Sequence, residues 1–306
     1  MAASPTSGTD CSHVRRAAVA QITSTADRDL NFAQCAAAAR AAAAAGALML
    51  FLPECFDFIG SASEETVRGA ESIEASLQSG RLALYRDLAK ETSLWLSLGG
   101  FHAISDTPGK VWNAHLVLDS SGALQACYKK MHLFDVDVPG GPSYRESSFT
   151  APGSELVSVD TPVGRLGLST CYDLRFPELY AALARPPHSC DVVAIPAAFM
   201  RPTGRAHWEI LNRARAIECQ VYVLSAAQSG WHHASRASHG HALAVDFWGA
   251  LIGDAGPGEE KAAAASAVPN IVLCDIDRDA MLHARARMPL ALHRRADVFL
   301  QDARSS

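Results

Sequence analysis

Three reactive side chains stand at the ends of short apolar runs: Glu54 closes ALMLFLPE, Lys130 closes ALQACYKK and Cys171 closes GRLGLSTC. Taken singly, each has an ordinary reading. Glu54 can be a solvated loop acid, Lys130 one of a surface pair with Lys129, and Cys171 a small hydrophobe of the kind usually buried and inert. Taken together, they match one chemistry. A thiol with a free pKa near about 8.5 becomes a useful nucleophile when a base takes its proton or a cation stabilises its thiolate. Glu54 is the candidate base and Lys130 the candidate cation. Lys130 can also face the oxygen of an attacked carbonyl, with the backbone N–H of Tyr172, just past the nucleophile, as a second donor.

Such a site needs elements whose ends converge, and in α/β sheets reacting groups gather where strands end and loops begin. RRAAVAQI (15–22), ALMLFLP (47–53) and LWLSLGG (94–100) read as buried strands, being brief and ended by Pro, Gly or polar residues. DRDLNFAQCAAAARAAAAAG reads as a helix that packs tightly on a sheet, with acids in its first turn and Gly46 placed to stop it. VWNAHLVLD (111–119) and ALQACYK (123–129), separated by Ser121 and Gly122, read as a hairpin. Residues 131–153 show little regular pattern, and a loop of that length is often functional.

The second half repeats the alternation. Strand 164–170 meets Cys171, helix 177–184 follows, then strand 191–196, helix 205–220 and strand 221–227. HALAVDFWGALIG reads as another hairpin, NIVLCDID (270–277) as the last strand, and the remainder as a basic, irregular tail. With no linker in view, the expectation is one α/β domain over 13–300, helices covering mixed sheets, between tails at 1–12 and 301–306.

Composition limits the alternatives. The 306-residue chain is 49% hydrophobic and 19% charged, with a formal charge of −5 and no basic tract, so binding to nucleic acid lacks its usual electrostatic source. No segment approaches the roughly 18 consecutive apolar residues of a membrane span. The opening MAASPTSGTDCSHVRR has no apolar h-region, and Asp10 precedes its Arg pair. The eight cysteines (Cys11, Cys35, Cys55, Cys127, Cys171, Cys190, Cys219, Cys274) are scattered without a C-x-x-C pair, which is the usage of a reducing compartment. The expected address is the cytoplasm, with the mitochondrion left open.

LPECFDFIG, YKKMHLFDVDVPG and STCYDLRFPELY, in that order, resemble the glutamate, lysine and cysteine motifs of the nitrilase (carbon–nitrogen hydrolase) superfamily. The resemblance extends from about Arg15 to Phe299. It implies an αββα sandwich that pairs into an αββααββα dimer, hence a homodimer or higher homo-oligomer, together with a small-molecule substrate, no metal or organic cofactor, and a Glu54–Lys130–Cys171 triad. A second glutamate of the family corresponds to Glu146 in SYRESS, which would explain the long 131–153 loop. Arg175, four residues past Cys171, is either a surface charge or a fork for a substrate carboxylate, and the resemblance favours the fork.

LPECFDFIG, LWLSLGGFH, AHWEILNRARAIECQVYV and RMPLALHRRADVF are similar to the Nit branch, most closely to its amidases of deaminated glutathione. That implies cleavage of a 2-oxo acid ω-amide to 2-oxoglutarate and cysteinylglycine, with 2-oxoglutaramate as the alternative substrate. A loop around Phe199, Arg201 and Thr203 is expected to shape the pocket for the leaving part. Arg205 replaces the family's proline there, and His239 stands in place of a tyrosine. The helix HWEILNRARAIECQ, with Trp208, Ile210, Leu211 and Ile217, either contributes a dimer face or covers its own sheet.

Two rivals come from other classes. WHHASRASHGHALAV holds His232, His233, His239 and His241, and the last two alternate onto one face of a strand, so a zinc hydrolase is conceivable. The spacing is unlike a helical H-E-x-x-H pair, and no nearby acid or cysteine completes a site, so hydrogen-bonding histidines in a loop are the plainer expectation. A non-catalytic scaffold on the same fold is the other rival, though every member of the triad is present.

Overall fold

The computed structural model describes residues 14–137, 143–257 and 270–299. The expected tails at 1–12 and 301–306 lie outside the described residues, as does part of the 131–153 stretch.

Two sheets follow one plan. In the first, strands Val14–Ile22, Met49–Leu52 and Trp95–Ile104 run parallel in chain order, and Val111–Leu118 and Leu124–Lys129 extend it antiparallel. In the second, Gly164–Leu168, Val192–Ala194 and Tyr222–Ser225 form the parallel centre. Ser158–Thr161 flanks that centre on one side, and Leu243–Val245 and Leu251–Asp254 flank it on the other, all antiparallel. The parallel strands read as continuous apolar runs because both of their faces are covered.

Side-chain alternation divides each strand between two cores. Ala17, Val19, Met49 and Phe51 face the second sheet and share a core with Leu166, Leu168, Val193 and Leu224. Their neighbours Ala18, Ala20, Leu50 and Leu52 pack instead with Cys35, Ala39, Leu82 and Tyr85 of helices Arg28–Ala44 and Arg81–Thr92. Helices Pro177–Leu183 and Arg201–Cys219 cover the second sheet through Leu179, Tyr180, Leu183 and Trp208. The order helix, sheet, sheet, helix is the expected αββα sandwich.

The alanine run is a packing device. Ala36, Ala38, Ala39 and Ala42 are buried, and small side chains let the helix lie close on its sheet. Asp27 caps it, its carboxylate accepting from the amides of Asp29 at 3.1 Å and Leu30 at 3.0 Å, and Gly46 ends it at φ 75°.

Four expectations need correction. The helix expected from 205 begins at Arg201, because Pro202 lies in the first turn, where no amide donor is needed. Arg201 and Thr203 are therefore helical rather than on a loop. The C-terminal stretch is not irregular: Asp277 caps helix Arg278–Arg287 by accepting from Ala280 N at 2.8 Å, and short helices Leu290–His293 and Ala296–Phe299 follow. Its density of arginine hides that signal. The histidine-rich stretch, expected as a loop, is the hairpin Ala227–His233 and Arg236–His239, which joins the first sheet through Gln21↔Ala227 and Ile22↔Gln228. Finally, Trp208 is only 1% exposed and its Nε1 donates to the carbonyl of His241 at 2.7 Å, so it belongs to its own subunit's core and not to an outward face.

Candidate active site

Cys171 follows strand Gly164–Leu168 at the start of a 3₁₀ turn, Cys171–Arg175, with a left-handed φ of 51°. A non-glycine residue persists there only when its surroundings over-determine it. Its amide donates to Pro196 O at 2.9 Å, beyond the neighbouring strand. Asp173, fully buried, holds the turn from beneath. One of its carboxylate oxygens accepts from Thr170 N at 2.8 Å and Tyr128 Oη at 2.7 Å, and the other accepts from His132 N at 3.0 Å and meets His132 Nδ1 at 2.7 Å. One carboxylate thus ties the cysteine motif to the lysine motif. The His132 ring lies flat on Phe176, 3.7 Å between centroids.

His115 fixes the other side. Its Nδ1 meets the carbonyl of Ser169 at 2.9 Å and its Nε2 the hydroxyl of Ser97 at 2.7 Å, bridging the two sheets directly below the turn. Burial lowers its pKa to about 4. The ring is therefore neutral, Nδ1–H donating to the carbonyl and Nε2 accepting.

Glu54 lies two residues past strand Met49–Leu52. Glycine is required at two places behind it. A Cβ on Gly99 would come within 2.2 Å of Pro196 and 2.3 Å of Leu52 O, and one on Gly100 within 2.6 Å of Asn113 Oδ1 and 3.2 Å of Glu54 Cγ. The pairing of Trp95–Ile104 with Val111–Leu118 shifts register at this point, and Gly100 O accepts from Cys55 N at 3.1 Å. A bulge beside a site re-aims the groups next to it.

The three charged groups form one buried cluster. Lys130 Nζ donates to Glu54 Oε1 at 3.0 Å and to the two Glu146 oxygens at 3.0 and 2.9 Å. Asn113 Nδ2 also donates to Glu54 Oε1, at 2.9 Å, and Ala198 N to Oε2, at 3.1 Å. Glu146 further accepts from Phe134 N at 2.7 Å. Glu54, Lys130 and Glu146 are 5%, 2% and 6% exposed, whereas Cys171 is partly exposed. The long loop thus brings its glutamate to the lysine.

Burial raises the Glu54 pKa, but the charge of Lys130 and hydrogen bonds from Cys171 and Lys130 outweigh it and leave the carboxyl below its ordinary value. Burial likewise opposes the ammonium of Lys130, yet Glu146 and Glu54 hold its pKa well above the ordinary value. For Cys171, burial and the charge of Glu54 push the thiol well up, against the weaker opposing pull of Lys130. The resting state these directions describe is a carboxylate, an ammonium and a neutral thiol. Such a thiol reacts by losing its proton to the base rather than by standing as a thiolate.

Arg175 is on the same turn as Cys171. Its guanidinium lies 5.4 Å from the Phe199 ring centre and 5.9 Å from that of Tyr172, with Nη1 3.1 Å from His207 Nδ1. Phe199 in turn packs on Trp208, centroids 4.9 Å apart. Thr203 hydrogen-bonds within the first turn of its helix, to Met200 O at 3.2 Å, and no contact described for it reaches the cluster. Arg205 is exposed.

The grouped histidines have separate partners. His232 meets Ser24 O and Ser238 Oγ, each at 2.7 Å; His233 lies beside Ser235; His241 meets Asp254 at 2.9 Å and stacks on His239. Among the described residues, no three His, Cys, Asp or Glu side chains are grouped to hold a metal ion.

Asn113, His115 and the clasp of Asp173 are not anticipated by the sequence reading. A signal exists for the first two: both interrupt the apolar strand Val111–Leu118 at alternate positions, on one face.

Comparison with known proteins bears on the family and the fold. The family model for carbon–nitrogen hydrolases matches residues 16–285. The chain is 44% identical over 286 residues to the deaminated glutathione amidase of Bos taurus, covering 92% of this chain and 82% of that one. Its fold is similar to the crystal structure of the NitFhit protein of Caenorhabditis elegans, with a TM-score of 0.83 and 39% identity over 94% of this chain and 66% of that chain. It is also similar to Saccharomyces cerevisiae Nit3, a member of branch 10 of the nitrilase superfamily, with a TM-score of 0.76 and 26% identity over 91% and 95% of the two chains.

Proposed function

Because the chain belongs to the carbon–nitrogen hydrolase family, we propose that it hydrolyses the ω-amide of a 2-oxo acid through a thioester on Cys171, with deaminated glutathione as substrate. Glu54 takes the thiol proton while sulfur attacks the amide carbon, and Lys130 and the Tyr172 N–H hold the oxyanion. The C–N bond breaks as Glu54 returns the proton to the leaving nitrogen, releasing cysteinylglycine. Water, deprotonated by Glu54 with Glu146 helping to orient it, then attacks the thioester; 2-oxoglutarate leaves and the thiol is restored. No metal or organic cofactor is needed for these steps.

The observation that carries this reading is the buried Lys130 bridging Glu54 and Glu146, with a left-handed, partly exposed Cys171 beside that same Glu54. The name of the 44% identical relative supports the substrate. Arg175 is assigned to the 2-oxo acid carboxylate, beside Phe199, and Thr203 to the outer pocket. The rival substrate is 2-oxoglutaramate, whose leaving group is ammonia. Comparing kcat/KM for the two compounds tests the assignment: a clear preference for 2-oxoglutaramate would overturn the substrate and leave the thioester chemistry standing.

The proposal includes a homodimer and a cytoplasmic address. On helix Arg201–Cys219, Ile210 and Ile217 are 69% and 46% exposed, and the turn at Trp248, itself 62% exposed, sits against Ile217. Apolar side chains so grouped are suited to burial against a second copy. Among the described residues, no helix is long and apolar enough to cross a membrane.

A further inference from the structure

Arg236 opens the outer strand of the hairpin Ala227–His233 and Arg236–His239. That hairpin is fastened to the site: Gln228 Nε2 donates to Glu54 O at 3.0 Å and to Cys55 O at 3.4 Å, and His232 meets Ser24 O and Ser238 Oγ. The guanidinium is partly buried, within electrostatic reach of Cys55, Tyr144, Glu54 and Cys171. It therefore stands beside the cluster, toward the strand Ser143–Arg145 that leads into Glu146.

What it lacks is a partner. Among the described residues, no carboxylate lies within ion-pair distance of Arg236 and none of its N–H groups is hydrogen-bonded, whereas Arg28 and Arg81 both pair with Asp57. A partly desolvated guanidinium without an acceptor is costly, and its planar fork fits a carboxylate. Arg175 is the other guanidinium beside Cys171 without a carboxylate, its neighbours being His207 and the rings of Phe199 and Tyr172.

We propose that Arg236 binds a carboxylate carried by the leaving group, so that the site selects substrates with one carboxylate on each side of the scissile amide. The side follows from position: Arg175 sits on the nucleophile's own turn and takes the 2-oxo acid carboxylate, whereas Arg236 is on the hairpin whose Gln228 holds the backbone of Glu54, the carboxyl that the leaving nitrogen must face to be protonated. The inference rests on the function proposed above. Deaminated glutathione carries one carboxylate on its 2-oxo acid end and another on its glycine, which leaves with the amine. Ammonia released from 2-oxoglutaramate has none.

Deaminated glutathione and its C-terminal glycinamide, assayed on the wild type and on Arg236→Gln, test this. Capping the glycine carboxylate should lower wild-type kcat/KM about ten- to a hundred-fold, the effect of losing one charge-assisted pair, mainly through KM. In Arg236→Gln, kcat/KM for the free acid should fall comparably and the two compounds should become equivalent; Arg236→Lys should recover part of the discrimination. Equal wild-type kcat/KM for acid and amide overturns the proposal without any variant. A variant that still prefers the acid by the wild-type factor removes Arg236 from the role. A wild type that cleaves 2-oxoglutaramate but neither peptide compound overturns the substrate reading first, and this inference with it.

Discussion

Cys171→Ala removes the group that would carry the acyl chain and should fold normally while losing turnover almost entirely. With a slow substrate, intact-protein mass spectrometry of the wild type should place the adduct on the peptide containing Cys171. Cys55 and Cys219 are buried, with thiols pushed up to about 12 and about 11, so an adduct on either would remove Cys171 from its role. Lys130→Met should lower kcat by at least about 10²–10³, the cost of one preorganised oxyanion donor. It also leaves two buried carboxylates without their cation, so urea denaturation should register a loss of about 3–5 kcal/mol. A loss of only a few-fold in kcat would contradict the oxyanion role. At this scale the cluster was legible because a Glu, a Lys and a Cys each ended an apolar run. The clasp of Asp173 and the unpaired state of Arg236 were not, because each depends on which distant residue lies opposite it, and that is set by the register of the sheets.

At the scale of elements, the Gly99–Gly100 bulge sets the position of Glu54. Gly100→Ala would force a methyl group against Asn113 Oδ1 and the side chain of Glu54, so kcat should fall by an order of magnitude or more with KM little changed. Steady-state kinetics check this, and unchanged kcat would show that the carboxylate tolerates the displacement. The exposed Ile210 and Ile217 make a second test: Ile217→Lys should shift a dimer toward monomer in light scattering, and a wild type already monomeric and active at micromolar concentration defeats that assembly. Most strands were legible as short apolar runs closed by Pro or Gly. The strand Arg236–His239 was not, since Ser, His and Arg hide its alternation, and the early start of helix Arg201–Cys219 was masked because Pro202 reads as a breaker until it is seen in the first turn.

For the whole molecule, buried imidazoles govern the acid side of stability. Burial lowers the pKa of His115 to about 4 and that of His232 to about 3. The folded state keeps both rings neutral, while the unfolded chain protonates them near pH ~6.5, so between these values the unfolded state holds more protons. Stability should be unaffected by them above pH ~6.5 and should fall as the pH drops from there toward 4, by up to ~1.4 kcal/mol per pH unit for each ring. Denaturant midpoints at pH 7.5, 6.0 and 5.0 measure the slope, and a flat profile would contradict it. The architecture itself was readable from alternating elements and three motifs, but how the strands divide between two sheets was not, because that depends on pairings between the two ends of the chain.

One of those pairings has a bearing on synthesis. One edge of strand Val14–Ile22 is covered by Asn270–Asp277 and, at its end, by Ala227–His233. On a ribosome adding roughly 5–20 residues per second, Ile22 emerges roughly 10 to 50 seconds before Asn270. For that interval the nascent chain presents an apolar strand with an unsatisfied edge, which is the kind of surface that recruits chaperones or seeds aggregation. Truncated chains released before residue 270 should therefore accumulate as insoluble material, however complete their motifs.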